Sequence, residues 1–179
     1  GFDSSVQGVQ SNQLDGMIAG MSITEEREQS FDFSDPYYDS GIQMAVAQGN
    51  DEIKSYKDLE GKTVGAKVGT ESADFLEDNK DKYNFDVKNY DDASGLYGAV
   101  DNNTVEAIFD DFPVLGYAIK QGEELSLVGE PEAGNPYGFA VKKGQNEELL
   151  EKFNAGLKKL KDSGEYDEIV DKYVETEGN

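Results

Sequence analysis

The sequence predicts an α/β fold, on three observations. From residue 55 to residue 120, short apolar strands alternate with helical segments at the spacing of βαβ units, which argues for a mainly parallel sheet covered on both faces. The chain of 179 residues is long enough for a real core, as one large domain or two small ones. Hydrophobic residues make up 36% and charged residues 30%, a globular rather than a disordered balance.

The elements read as follows. Residues 4–12 form a short helix that Asp3 or Ser4 caps. Leu14 to Ala19 is a buried strand ending at Gly20. Thr24-Glu-Glu-Arg-Glu has the form of a first helical turn, with Thr24 as cap and acids at its positive end. Residues 31–38 are aromatic and turn-rich, and Gly41 opens a strand over 42–47. A helical turn at 55–59 precedes strands at 63–67, 85–90 and 105–110, separated by helices at 70–78 and 92–100. A helix at 113–120, with Pro113 in its first turn, leads to strands at 125–128 and 137–141. In the tail, Leu149, Leu150, Phe153, Leu157 and Leu160 keep the 3.6-residue period. Gly164 interrupts it, and Tyr166, Ile169, Val170 and Tyr173 resume it. The segments 37–41 and 133–137 hold Gly or Pro and are expected to carry the chain between lobes.

Composition narrows the function. Thirty-eight acidic residues against 16 basic ones give a net charge of −22, a field that repels nucleic acid and anionic membranes. Without cysteine or histidine, thiolate nucleophiles, the usual triads and most transition-metal sites are excluded. The acidic stretches at 78–81 and 101–105 lack the ligand pattern of a Ca²⁺ loop, and no cofactor is expected. No apolar run is long enough to span a bilayer. The start at Gly1-Phe2-Asp3, without an initiating Met, reads as a processed, excised or truncated piece.

Three places carry candidate chemistry. Arg27 is the chain's one arginine among fifteen lysines. Its planar fork suits a carboxylate, as a lysine does not; alternatively it pairs on the surface with Glu25, Glu26 or Glu28. The loop Lys67-Val-Gly-Thr-Glu-Ser lies between a strand and a helix. It either offers free N–H groups and the Thr70 hydroxyl to an anion or is an ordinary capped turn. Asp110-Asp111 ends an apolar strand, where α/β sheets bind ligands; the other role for these acids is a helix cap before Pro113. A zwitterionic α-amino acid needs an arginine and backbone donors at one pole and an acid at the other. Arg27, Thr70 and Asp111 supply these.

The runs Gly20-Met-Ser-Ile-Thr-Glu-Glu-Arg-Glu, Phe31-Asp-Phe-Ser-Asp-Pro-Tyr-Tyr, Asp58-Leu-Glu-Gly-Lys-Thr-Val-Gly and Tyr137-Gly-Phe-Ala-Val-Lys-Lys-Gly resemble the polar amino-acid solute-binding proteins of ABC importers, and most of all their glutamine-binding members. So does the ending Leu157-Lys-Lys-Leu-Lys-Asp-Ser-Gly-Glu-Tyr-Asp-Glu-Ile. The resemblance implies a two-lobe, periplasmic-binding-protein-like type II fold that closes on its ligand by hinge motion. Residues 1–37 and 138–179 would form one lobe and 38–137 the other, with the crossings. It implies that Arg27, with Ser22 and Thr70, binds the α-carboxylate, and that the Gly20 carbonyl and Asp111 take the α-ammonium. Met21 lies in the same binding run. Phe2 would pack on the aliphatic part of the ligand, and Lys67 would meet its side-chain oxygen. Glu71 and Asp110 stand where glutamine binders can carry glycine and histidine, and their negative charge disfavours glutamate.

Family members begin with a βαβ unit that is not seen before Phe2. The first lobe is therefore expected to be incomplete, with impaired ligand binding and an open edge near residues 15–19 suited to self-association. The implied role is delivery of a free L-amino acid, glutamine favoured, to the transmembrane permease subunits of an ABC importer, at an extracellular, cell-surface position (as a membrane-anchored lipoprotein or fused to the permease) or in the periplasm. The protein is expected to be non-enzymatic. Alternatives on the same fold are an amino-acid-sensing domain of a signalling protein or channel, and a cyclic-acid dehydratase.

Overall fold

The computed structural model describes residues 1–173. In chain order they form α1 (Phe2–Gln10), β1 (Met17–Ser22), β2 (Phe31–Phe33), β3 (Gly41–Ala47), β4 (Thr63–Lys67), α2 (Glu71–Tyr83), β5 (Asp86–Tyr90), α3 (Ala93–Asp101), β6 (Ala107–Asp111), α4 (Phe112–Lys120), β7 (Leu125–Ala133), β8 (Tyr137–Lys142), α5 (Glu147–Ser163) and α6 (Glu165–Tyr173). Short 3₁₀ turns lie at Arg27–Gln29 and Tyr56–Leu59. The chain divides into two compact units. A central unit holds Gly41–Ala133 together with Gly1–Asp3; a terminal unit holds Ser4–Ser40 and the chain from Gly134 onward.

The central unit is a five-stranded sheet in the order β5-β4-β6-β3-β7. Side chains alternate across it, as the two-residue period of a strand requires. Ile42, Met44 and Val46 of β3, Val64 and Ala66 of β4, and Ala107 and Phe109 of β6 pack with Ala73 and Leu76 of α2 and with Leu59. Ala45 and Ile108 turn the other way, against Leu96, Val100, Leu115 and Ala118 of α3 and α4. With a helix layer on each face, the strands carry apolar residues at nearly every position rather than at every second one. The helices begin where their sequences provide caps: Thr70 Oγ1 accepts the Ala73 N–H and Asp92 Oδ1 the Gly95 N–H.

The sheet is mixed, which corrects the mainly parallel expectation. β4 runs parallel to β5 and β6, but β3 runs antiparallel to both β6 and β7. The strand–helix rhythm describes β4 to β6 only. β3 lies outside it, since no crossover helix follows: residues 48–62 hold only the 3₁₀ turn.

The pairing of β3 with β7 contains a bulge. Ile42 faces Glu132 while Met44 faces Val128, so β7 carries extra residues there, and Gly129 takes φ +72°. The buried Gln43 amide donates to the carbonyls of Val128 (2.8 Å) and Gly129 (3.3 Å) at the bulge.

The terminal unit has a three-stranded antiparallel sheet in the order β1-β8-β2. Three expectations shift here. α1 starts at Phe2, so Asp3 and Ser4 sit inside its first turn rather than capping it. β1 starts at Met17, because Gln13 and Leu14 still donate to the Gly8 carbonyl at the end of α1. It also continues past Gly20, through a bulge where Met17 faces Ala140 and Met21 faces Gly138. Within residues 31–38, Phe31–Phe33 is a strand, held by β8. In the tail, α5 packs Leu150 and Leu157 inward and ends at Gly164, whose φ of +82° supplies the left-handed cap. Phe153 of α5 stacks on Phe139 at 4.8 Å, and the Tyr166 hydroxyl of α6 donates to the Tyr37 carbonyl.

Candidate functional site

In the central unit, β4 and β6 are parallel neighbours, so their C-terminal ends share one edge of the sheet. Lys67 ends β4 and Asp110-Asp111 ends β6. The N-termini of α2 and α4 follow directly. Such an edge is where open α/β sheets place ligands.

Asp110 is 1% exposed. Its Oδ2 lies 2.7 Å from Lys67 Nζ, and its Oδ1 accepts the Asp111 N–H at 2.9 Å. Burial pushes the Asp110 carboxyl up. The Lys67 charge and the two hydrogen bonds pull it down without overcoming burial. The Tyr97 phenol, itself buried, is raised further by the charge of Asp110. Asp111 is half-buried and occupies the cap position of α4, yet its side chain makes no capping hydrogen bond there. The helix-cap role is thus not what its carboxylate performs.

Thr70 is a cap in full. Its hydroxyl accepts from Ala73 (3.3 Å) and donates to the Lys67 carbonyl (2.7 Å), so the proton offered to an anion in the sequence reading is engaged within the turn. Gly69 takes φ +73° with the Asp3 side chain beside it, and the half-buried Glu71 opens α2. Phe2 is half-buried and groups with this unit.

The remaining candidates lie in the terminal unit. Gly20 has φ +63° and falls outside the paired rungs of the β1–β8 ladder. Its N–H donates to the Tyr37 hydroxyl at 3.0 Å. A Cβ there would stand 3.2 Å from the Tyr137 ring, so glycine is required both by conformation and by space. Met21 and Ser22 are buried. The Ser22 carbonyl accepts from Arg27 Nη1 at 2.9 Å. Thr24 Oγ1 accepts the Arg27 N–H, as the cap reading anticipates. Arg27 is half-buried.

Lys67, Thr70, Glu71, Asp110, Asp111 and Phe2 therefore belong to the central unit, and Gly20, Met21, Ser22 and Arg27 to the terminal one. The sequence reading treated Lys67 and Asp110 as separate charges. Their pairing was visible only as two strands that each end in a charged residue, and it needed the strand order to be found.

Residues 1–176 match the family model of the bacterial extracellular solute-binding proteins, family 3. The chain is 36% identical over 178 residues to the arginine-binding periplasmic protein of Mannheimia haemolytica, covering 97% of this chain and 71% of that one. It is 48% identical to substrate binding domain 2 of Lactococcus lactis GlnP in its open conformation, with a TM-score of 0.66, covering 99% of this chain and 77% of that one. An ancestral arginine-binding protein bound to glutamine is 41% identical, with a TM-score of 0.85, covering 96% and 76%. The chain spans 60% to 71% of the length of three of the curated relatives it matches. The fold is the mixed α/β, periplasmic-binding-protein type II fold. No helix among the described residues is long and apolar enough to cross a membrane.

Proposed function

Since the chain belongs to the bacterial extracellular solute-binding proteins, family 3, and is a binding protein rather than an enzyme, we propose that it captures a free L-α-amino acid for an ABC importer, with glutamine as the favoured cargo. Arg27 carries this reading. It is the chain's one arginine, half-buried, with one nitrogen anchored on the Ser22 carbonyl. A planar guanidinium fork suits a bidentate hold on an α-carboxylate. Asp111, whose carboxylate does not cap α4, takes the α-ammonium. Gly20 contributes a carbonyl from outside the β1–β8 ladder, Lys67 meets the side-chain oxygen, and Phe2 covers the aliphatic carbons. Glutamine is favoured because the motif runs resemble glutamine-binding members most of all and Lys67 offers a donor to a side-chain oxygen; among the relatives, an ancestral arginine-binding protein is found with arginine and with glutamine. Transmembrane permease subunits are the partners, and the work is done outside the membrane.

A thermal-shift screen of the twenty amino acids tests the reading, because a ligand that binds only the folded state raises its melting point. Glutamine is expected to give the largest shift, and Arg27→Ala to remove it. No shift with any amino acid, or an undiminished shift in Arg27→Ala, overturns the assignment.

A further inference from the structure

The Lys67–Asp110 pair has a role beyond structure. We propose that Asp110 is a positioning residue that cancels the charge of Lys67, so that the site takes a neutral polar side chain such as a carboxamide and refuses a carboxylate. The inference rests on the amino-acid reading above.

Asp110 is too buried to meet a solute itself, with a side chain 2% exposed, whereas the Lys67 side chain is 15% exposed. One carboxylate holds two neighbours: Oδ2 fixes the Lys67 ammonium at 2.7 Å and Oδ1 fixes the Asp111 backbone at 2.9 Å. An ammonium has three donors, and Asp110 uses one. The others remain chemically able to meet an amide oxygen, which asks only for a donor. A carboxylate side chain asks for net positive charge, and the pair has none. Glu71 at the head of α2 and Asp111 at the end of β6 add negative charge on the same sheet edge. Among the described residues no group of three or more His, Cys, Asp or Glu side chains gathers that could hold a metal ion.

The test is titration calorimetry of glutamine and glutamate at neutral pH, in the complete protein. Three forms are compared: wild type, Asp110→Asn, and the neutral pair Lys67→Gln/Asp110→Asn. In Asp110→Asn the lysine keeps its charge without a counter-ion, and the affinity ratio of glutamate to glutamine is expected to rise at least about tenfold. In the double variant the ratio is expected to return to the wild-type value, and this form keeps the pair uncharged, so it guards against misfolding of the single variant. A merely structural Asp110 would weaken both ligands together and leave the ratio unchanged. An unmoved ratio in a wild type that binds an amino acid overturns this inference alone. A wild type that binds no amino acid removes the inference and the amino-acid reading together.

Discussion

Replacing Lys67 by Met keeps the length of the side chain and removes its charge. Asp110, 1% exposed, then retains only the Asp111 N–H. Stranding one member of a buried ion pair costs about 3–5 kcal/mol. Proton uptake sets a ceiling on that cost. Neutralising a carboxyl with a reference value of 3.8 costs about 1.4 kcal/mol for each pH unit above it, so at pH 7 the charge contribution to the loss cannot exceed about 4 kcal/mol. At pH 5 the same ceiling is about 1.6 kcal/mol. The sign follows from the raised folded-state value. As pH rises above 3.8 the unfolded chain releases this proton first, so stability falls with pH until the folded carboxyl also ionises, and then levels. Removing Lys67 raises the folded value further and extends the fall. Urea unfolding of the central unit, followed by far-UV circular dichroism at pH 7 and pH 5, checks this. The deficit of Lys67→Met is expected to shrink by about half or more at the lower pH. An equal deficit at both would mean that Asp110 is not the charged group that Lys67 compensates.

Gly20→Ala forces a left-handed alanine and sets its Cβ 3.2 Å from the Tyr137 ring. The terminal unit is expected to lose about 2–4 kcal/mol by denaturant titration, and an unchanged midpoint would contradict the bulge. Asp32 accepts from Lys143 at 2.8 Å and from the Gly144 N–H at 2.6 Å, and these partners hold its carboxyl below the ordinary value of 3.8. Its stabilisation is therefore complete above that pH and is lost as pH falls through the folded value. Both side chains are substantially exposed, so Asp32→Asn is expected to cost no more than about 1 kcal/mol at pH 7; a deficit that survives at roughly pH 2 would refute the ionic origin.

What was legible in the sequence was local. Thr70 and Asp92 announce their helices because a cap acts over three residues, and Gly164 ends α5 because one glycine supplies the left-handed turn. The Arg27 turn was readable for the same reason, with Thr24 three residues before it. The rest depends on partners far along the chain. β2 is three residues long and exists as a strand only because β8 pairs with it. The direction of β3 depends on β6 and β7, and the bulges at Gly20 and Gly129 depend on register, which no single strand encodes. In the site, residue types pointed to an anion clamp and an acid. The reach of Asp110 to Lys67 came from strand order, and the full engagement of the Thr70 hydroxyl from turn geometry.

Placing β8 in the middle of the terminal sheet has a consequence for biosynthesis. Among the described residues, the sheet partner of both β1 and β2 is β8, at residues 137–142, made about a hundred positions after β2. At roughly 5–20 residues per second that is a delay of about 5–20 s. All five strands of the other sheet are translated within this interval and need nothing made later. The sheet of the central unit can therefore be completed before β8 joins β1 and β2. Phe31, 2% exposed in the folded protein and paired with Lys142 of β8, gains that cover only once β8 is made.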